Sequence, residues 1–124
     1  MGDYRNLVET FWQAFDRFDF AAAGELLHDD FVFELPQSKE RVRGRANFVA
    51  FNTYYPGQWR IAIQHLAVCD DEAITEITAS SDGQVNTAIS FFRFKDGKIS
   101  HIREFWPEPF SAQAWRAQWV EMMD

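Results

Sequence analysis

Cysteine is almost missing from this chain. Cys69 stands alone, so no internal disulfide can form. Basic side chains are in deficit, with 12 Lys and Arg against 19 Asp and Glu, for a formal charge of −7. They are scattered, which removes the basic patch that nucleic acids and anionic membrane surfaces require. No apolar run approaches membrane-spanning length, and Met1-Gly2-Asp3-Tyr4 opens no charged-then-apolar leader. Phosphate loops, nucleotide fingerprints, a Ser-His-Asp order, internal repeats and low-complexity linkers are all lacking. The expectation is a cytoplasmic protein of one domain, residues 1–124, with neither nucleic acid nor membrane as partner.

What the chain has in excess is aromatic surface. Thirteen Phe and 5 Trp lift the aromatic fraction to 17%, and 47% of residues are hydrophobic. That is too apolar for disorder. So many rings in a domain of this size imply a thick core or an aromatic-lined cavity.

In chain order, Leu7, Phe11, Phe15 and Phe18, widened by Val8 and Trp12, predict a helix from Asp3 to Phe18 with Asp3 as N-cap. Asp19 is placed to cap a second helix running to Leu27, and His28-Asp29-Asp30 to end it, where an imidazolium suits the helix dipole. Those three adjacent residues point in different directions, so no metal is assigned. Phe31 to Pro36 alternates as a strand, Gln37 to Arg43 reads as a polar loop, and Gly44 to Tyr55 as a third helix ended by Pro56-Gly57. Trp59–Cys69 and Glu72–Ser80 predict two strands around Asp70-Asp71. A further hairpin follows, QVNTAISFFRF, KDG, KISHIREFW, stopped by Pro107 and Pro109. Ser111 opens a closing helix bearing Ala112, Trp115, Trp119 and Met122, expected to fold back on the domain. Helices gathered before a strand meander imply an α+β fold with helices on one face of a curved antiparallel sheet.

Within the hairpin, Glu104 is a carboxylate between Ile102 and Trp106 on one strand face. A two-residue Asp96-Gly97 loop would pair it with Ile89. A three-residue loop would pair it with Ala88 and bring Ser90 and Asn86 onto its face; the polar residue before Asp96 favours this second register.

The element order, with FVFELP, RVRGRANFVAF and FFRFKDGKISHIREFW, resembles the SnoaL-like branch of the nuclear-transport-factor-2-like superfamily. The resemblance implies a cone: a strongly bent sheet wrapped around the N-terminal helices, with a pocket lined by both. Relatives include polyketide cyclases, ketosteroid isomerases, epoxide hydrolases and domains without catalysis. The ketosteroid isomerases' Tyr and two Asp match Phe11, Leu35 and Ser90 here, which does not fit that activity. The epoxide hydrolase's last-strand Asp matches Glu104, but its Arg has no counterpart in Thr75-Glu76-Ile77-Thr78. The pocket implied has Trp12, Phe15 and Asn52 from the helices. Phe33, Leu35, Trp59, Asn86, Ser90, Ile102 and Trp106 come from the strands and loops.

Two readings of function follow. The first is a cofactor-independent isomerase, lyase or cyclase acting on a small apolar carbonyl compound, with Glu104 and His65 as candidate catalytic groups. A burial-raised Glu pKa would suit proton transfer beside a carbonyl. The second is a ligand-binding or dimerisation module in which Glu104 is structural, paired with an arginine. His65 follows Ile61 and Ile63 in alternation and is also readable as a structural histidine; Glu76 is open to either face. No metal or cofactor is assigned. On the other sheet face, Ile99, His101 and Phe105, with Ile89 and Phe91, form a patch expected to be covered by a homodimer.

Overall fold

The structure, a computed structural model, describes residues 4–124; the Asp3 cap lies outside them. Helix α1, Tyr4–Asp16, buries Val8, Phe11, Trp12 and Ala14. It ends in a left-handed residue, Phe18 at φ 62. The Asp19 amide reaches Ala14 O at 2.8 Å and the Phe18 amide reaches Phe15 O at 3.0 Å, a Schellman closure made without glycine. Asp19 then caps α2, Phe20–Glu25, accepting from the Ala22 amide at 3.1 Å.

The chain enters strand β1, Leu27–Leu35, directly after this helix. His28, Asp29 and Asp30 are therefore strand residues and not a helix end, and His28 Nε2 meets Asp96 Oδ2 at 3.2 Å. The predicted loop contains a strand, β2, Glu40–Arg43, which hairpins back on β1. Its ERVR sequence has one apolar residue, as suits an edge strand whose charges discourage further pairing. Helix α3, Arg45–Thr53, starts at Gly44 (φ 86) and is tied to the α2–β1 junction by Arg45, which donates to Gly24 O at 2.9 Å and Leu27 O at 2.8 Å.

Four strands follow: β3 Arg60–Cys69, β4 Glu72–Ser81, β5 Gln84–Lys95 and β6 Lys98–Phe105. Their turns carry Asp70, Asp82-Gly83 and Asp96-Gly97, all at positive φ. The six strands form one curled sheet in the order β2-β1-β6-β5-β4-β3. The expected antiparallel sheet has one exception: β1 lies parallel to β6, with Phe33 beside Ile102. Phe31, Phe33, Ile77, Phe92, Ile99 and Ile102 face the helices and close the core around Phe11 and Phe48.

Two bulges decide which way side chains point. Between Arg93↔His101 and Phe94↔Ile99, Ser100 is an extra residue on β6. Ile99 is consequently buried in the core together with Ile102, not on the outer face as strict alternation required. Between Ile63↔Ile77 and His65↔Glu76, Gln64 is the extra residue on β3. The closing segment is a short 3₁₀ helix, Ala114–Trp119, and it does not fold back: Trp115 and Trp119 are each 70% exposed.

Candidate functional site

Between the concave face of the sheet and the helices lies a cavity of about 590 Å³. This is within the range of small-molecule sites, roughly 300–1,000 Å³. Of the residues expected there, Trp12, Phe15, Phe33, Leu35, Asn52, Trp59, Asn86, Ile102, Trp106 and Glu104 all line it. Ser90 does not; it is fully buried one layer behind the wall. His65 is outside altogether. The Gln64 bulge turns it to the convex side, where its side chain is 81% exposed and 3.8 Å from Glu76. This removes His65 as a pocket base.

Glu104 is 6% exposed, and its carboxyl is bonded at both oxygens. The Asp96-Gly97 turn has two residues, but Ser100 shifts the ladder by one more step. Glu104 therefore pairs with Ser90, in neither of the two registers anticipated. Ser90 Oγ donates to Oε2 at 2.7 Å, and Trp106 Nε1 donates to Oε1 at 2.9 Å. Among the described residues no Lys, Arg or His pairs with this carboxyl. Burial pushes its pKa above the ordinary 4.5, while the Ser90 and Trp106 hydrogen bonds pull the other way. Desolvation prevails because two neutral donors replace only part of the lost hydration.

Trp106 is itself fixed by a residue that strand and helix periodicity did not single out. Gln37, in the β1–β2 turn, accepts from the Trp106 amide and donates to its carbonyl at 3.1 Å. An amide side chain thus acts as a surrogate strand beyond the end of β6. Trp12 is held in a similar way, donating to Thr75 Oγ1 at 3.2 Å.

The remaining polar wall is sparse. Asn52 lines the cavity and donates to Phe48 O at 2.9 Å. Asn86 accepts from Gln84 at 3.4 Å, which leaves its amide hydrogens available. It lies four residues from Ser90 along β5, or about 13 Å at the usual strand rise. Phe18, Phe20, Phe48, Phe51 and Tyr55 also line the cavity and were not assigned to it by sequence. The aromatic excess pointed to them only collectively. Among the described residues no group of three or more His, Cys, Asp or Glu converges as metal ligands, and no helix is long and apolar enough to cross a membrane.

Residues 8–102 match the model of the SnoaL-like domain. The chain belongs to the SnoaL-like family. No curated protein matches it. An NTF-2-like protein of unknown function from Burkholderia xenovorans is 31% identical and superposes with a TM-score of 0.83, covering 97% of this chain and 94% of that one. A candidate ketosteroid isomerase from Kribbella flavida is 28% identical with a TM-score of 0.92, over 97% and 89%. An LEH-like epoxide hydrolase from M. tuberculosis, 21% identical with a TM-score of 0.68 over 82% and 80%, shares the fold alone. This SnoaL-like fold thus hosts several chemistries, and the site residues must discriminate among them.

Proposed function

We propose that this SnoaL-like protein is a cofactor-independent acid–base enzyme acting beside the carbonyl of a small apolar compound. One observation carries the reading: a buried carboxyl with no cation beside it among the described residues lines a largely aromatic cavity. As carboxylate, Glu104 takes a proton from the carbon next to the carbonyl. As carboxylic acid it returns that proton at another carbon, or to a departing oxygen. A pKa raised toward the working pH serves both directions. Ser90 and Trp106 position the carboxyl, and Asn86 offers amide hydrogens to the far end of an extended or conjugated molecule. Ketosteroid isomerase chemistry is not the proposal, because the family resemblance matches that group's reactive Tyr and Asp residues to Phe11, Leu35 and Ser90 here.

The density of rings on the wall favours a second reading, a non-catalytic binder of similar ligands. Exchange of ketone α-hydrogens with deuterated water, followed by NMR over a panel of cyclic ketones, separates the two. Wild-type protein is expected to accelerate exchange, and Glu104→Gln to lower that rate by roughly 10²-fold or more while still binding the ketone. A panel that binds without any exchange above buffer leaves the binder and removes the enzyme.

A further inference from the structure

The cavity wall is one-sided in charge. Its acids are Glu40 and Glu104, and among the described residues no Lys, Arg or His lines it. The chain around it carries a formal charge of −7. Most of the remaining wall is rings, whose faces are the negative part of an aromatic quadrupole. Two of them are indoles with their N–H groups already bonded, Trp59 to Pro56 O at 2.9 Å and Trp106 to Glu104 Oε1 at 2.9 Å. To a ligand they present ring and no donor. Gly57 (φ 88) keeps Trp59 close, since a Cβ there would stand 2.9 Å from its Nε1.

Glu40 stands at the cavity mouth. It is exposed, as are Tyr55, Gly57 and Gln58, whereas Glu104 is buried. The sheet fixes the interval between the two acids. Leu35 on β1 pairs with Glu40 on β2. Glu34 lies beside Arg103, which puts Leu35 next to Glu104 one step further along the parallel seam. Both carboxylates thus belong to one row across three strands, about 10 Å apart between Cα atoms at the usual strand spacing. Glu40 accepts from Ser38 Oγ and has no basic partner among the described residues. Arg41 beside it points to the other sheet face, where it donates to Glu34 at 3.0 Å, and the exposed Lys39 does not line the cavity.

We propose that the molecule bound in this cavity carries a protonated or quaternary amine at its outer end. This rests on the reading of the cavity as the site of a small carbonyl compound, and adds the charge of that compound. The carbonyl end reaches Glu104, the apolar body fills the ring-lined interior, and the ammonium stays at the mouth beside Glu40, Tyr55 and Trp106. There the cation keeps part of its hydration, while the carboxylate and the ring faces both attract it. An ammonium seated against Glu104 itself would hold that carboxylate ionised and weaken it as a base. The row across the strands keeps the two apart. An anionic compound meets the Glu40 carboxylate and finds no opposite charge on the described wall.

Isothermal titration calorimetry of the full chain with three ketones tests this. Each is a cyclohexanone bearing, at the carbon opposite the carbonyl, a trimethylammonium, a tert-butyl or a carboxylate group. The first two share one shape and differ in charge. The ammonium ketone is expected to bind roughly tenfold more tightly than the tert-butyl ketone, and the carboxylate ketone most weakly. Glu40→Gln should bring the ratio of the first two to within about twofold. Glu40 is exposed on an edge strand, so the variant's far-ultraviolet circular dichroism should match the wild type. A tert-butyl or carboxylate ketone that binds as tightly as the ammonium ketone overturns the proposal, as does a Glu40→Gln variant that keeps the full ratio. The enzyme reading fails in a different way, when the three bind in the expected order and no α-hydrogen exchanges faster than in buffer. Binding of none of them overturns both.

Discussion

At position 104 a carboxyl stands among rings, with a serine and an indole as its hydrogen-bond partners among the described residues. Its folded-state pKa is raised, so the fold holds this proton more firmly than the unfolded chain does. Stability from this group is therefore full below about pH 4.5 and falls as pH climbs through the raised value. Glu104→Gln removes that dependence. Its amide can donate to Ser90 Oγ while its carbonyl accepts from Trp106, reproducing the protonated acid. The variant should match the wild type in acid and melt higher above neutrality, as read by thermal unfolding across pH. A variant that melts lower at neutral pH would mean that the ionised carboxylate stabilises the fold.

At the scale of elements, one tie outside the sheet ladder is Asp16 at the end of α1. It accepts from Arg60 Nε at 2.8 Å, Arg60 Nη2 at 3.0 Å and the Ile61 amide at 2.8 Å, fixing the helix to the start of β3. Arg60 and that amide hold its pKa below the ordinary 3.8. This contribution is present above that value and lost as pH falls through the lowered one. With the carboxyl partly exposed, Asp16→Asn should cost about 1–2 kcal/mol near neutral pH and progressively less in strong acid. A loss of equal size at all pH values would contradict the charge argument.

The same scale shows what could be read beforehand. Helix stripes, strand runs and the acidic turns at Asp70 and Asp96 were legible because their signals are local. So was the inward face of Glu104, with Ile102 and Trp106 on either side. Two single-residue bulges were not. Gln64 and Ser100 are ordinary polar residues, and nothing in alternation marks a position where the partner strand skips one. Each reversed the facing of what followed or preceded it, taking His65 out of the pocket and bringing Ile99 into the core. β2 was missed for a related reason, since a charged edge strand has the composition of a loop. The arm was misjudged because an apolar stripe implies burial without saying in which molecule.

For the molecule as a whole, an arm left uncovered by its own chain adds little to unfolding of a single copy. Its contribution should come through association, so the melting temperature is expected to rise with protein concentration. Calorimetry over a wide dilution range checks this, and a flat series would place the arm outside the cooperative unit. The parallel seam between β1 and β6 has a consequence for how the protein is made. The meander from β3 onward can zip hairpin by hairpin as it is synthesised, each strand meeting a neighbour just made. β1 has only the short β2 beside it until β6 arrives, because Phe33 waits for Ile102. Synthesis thus leaves two sheet edges open and the apolar helix faces incompletely covered until nearly the end, the interval in which a nascent chain is most prone to join another. A chain halted before Lys98 has a hairpin stack and a set of helices, but no seam to close them and no wall on which Glu104 could stand.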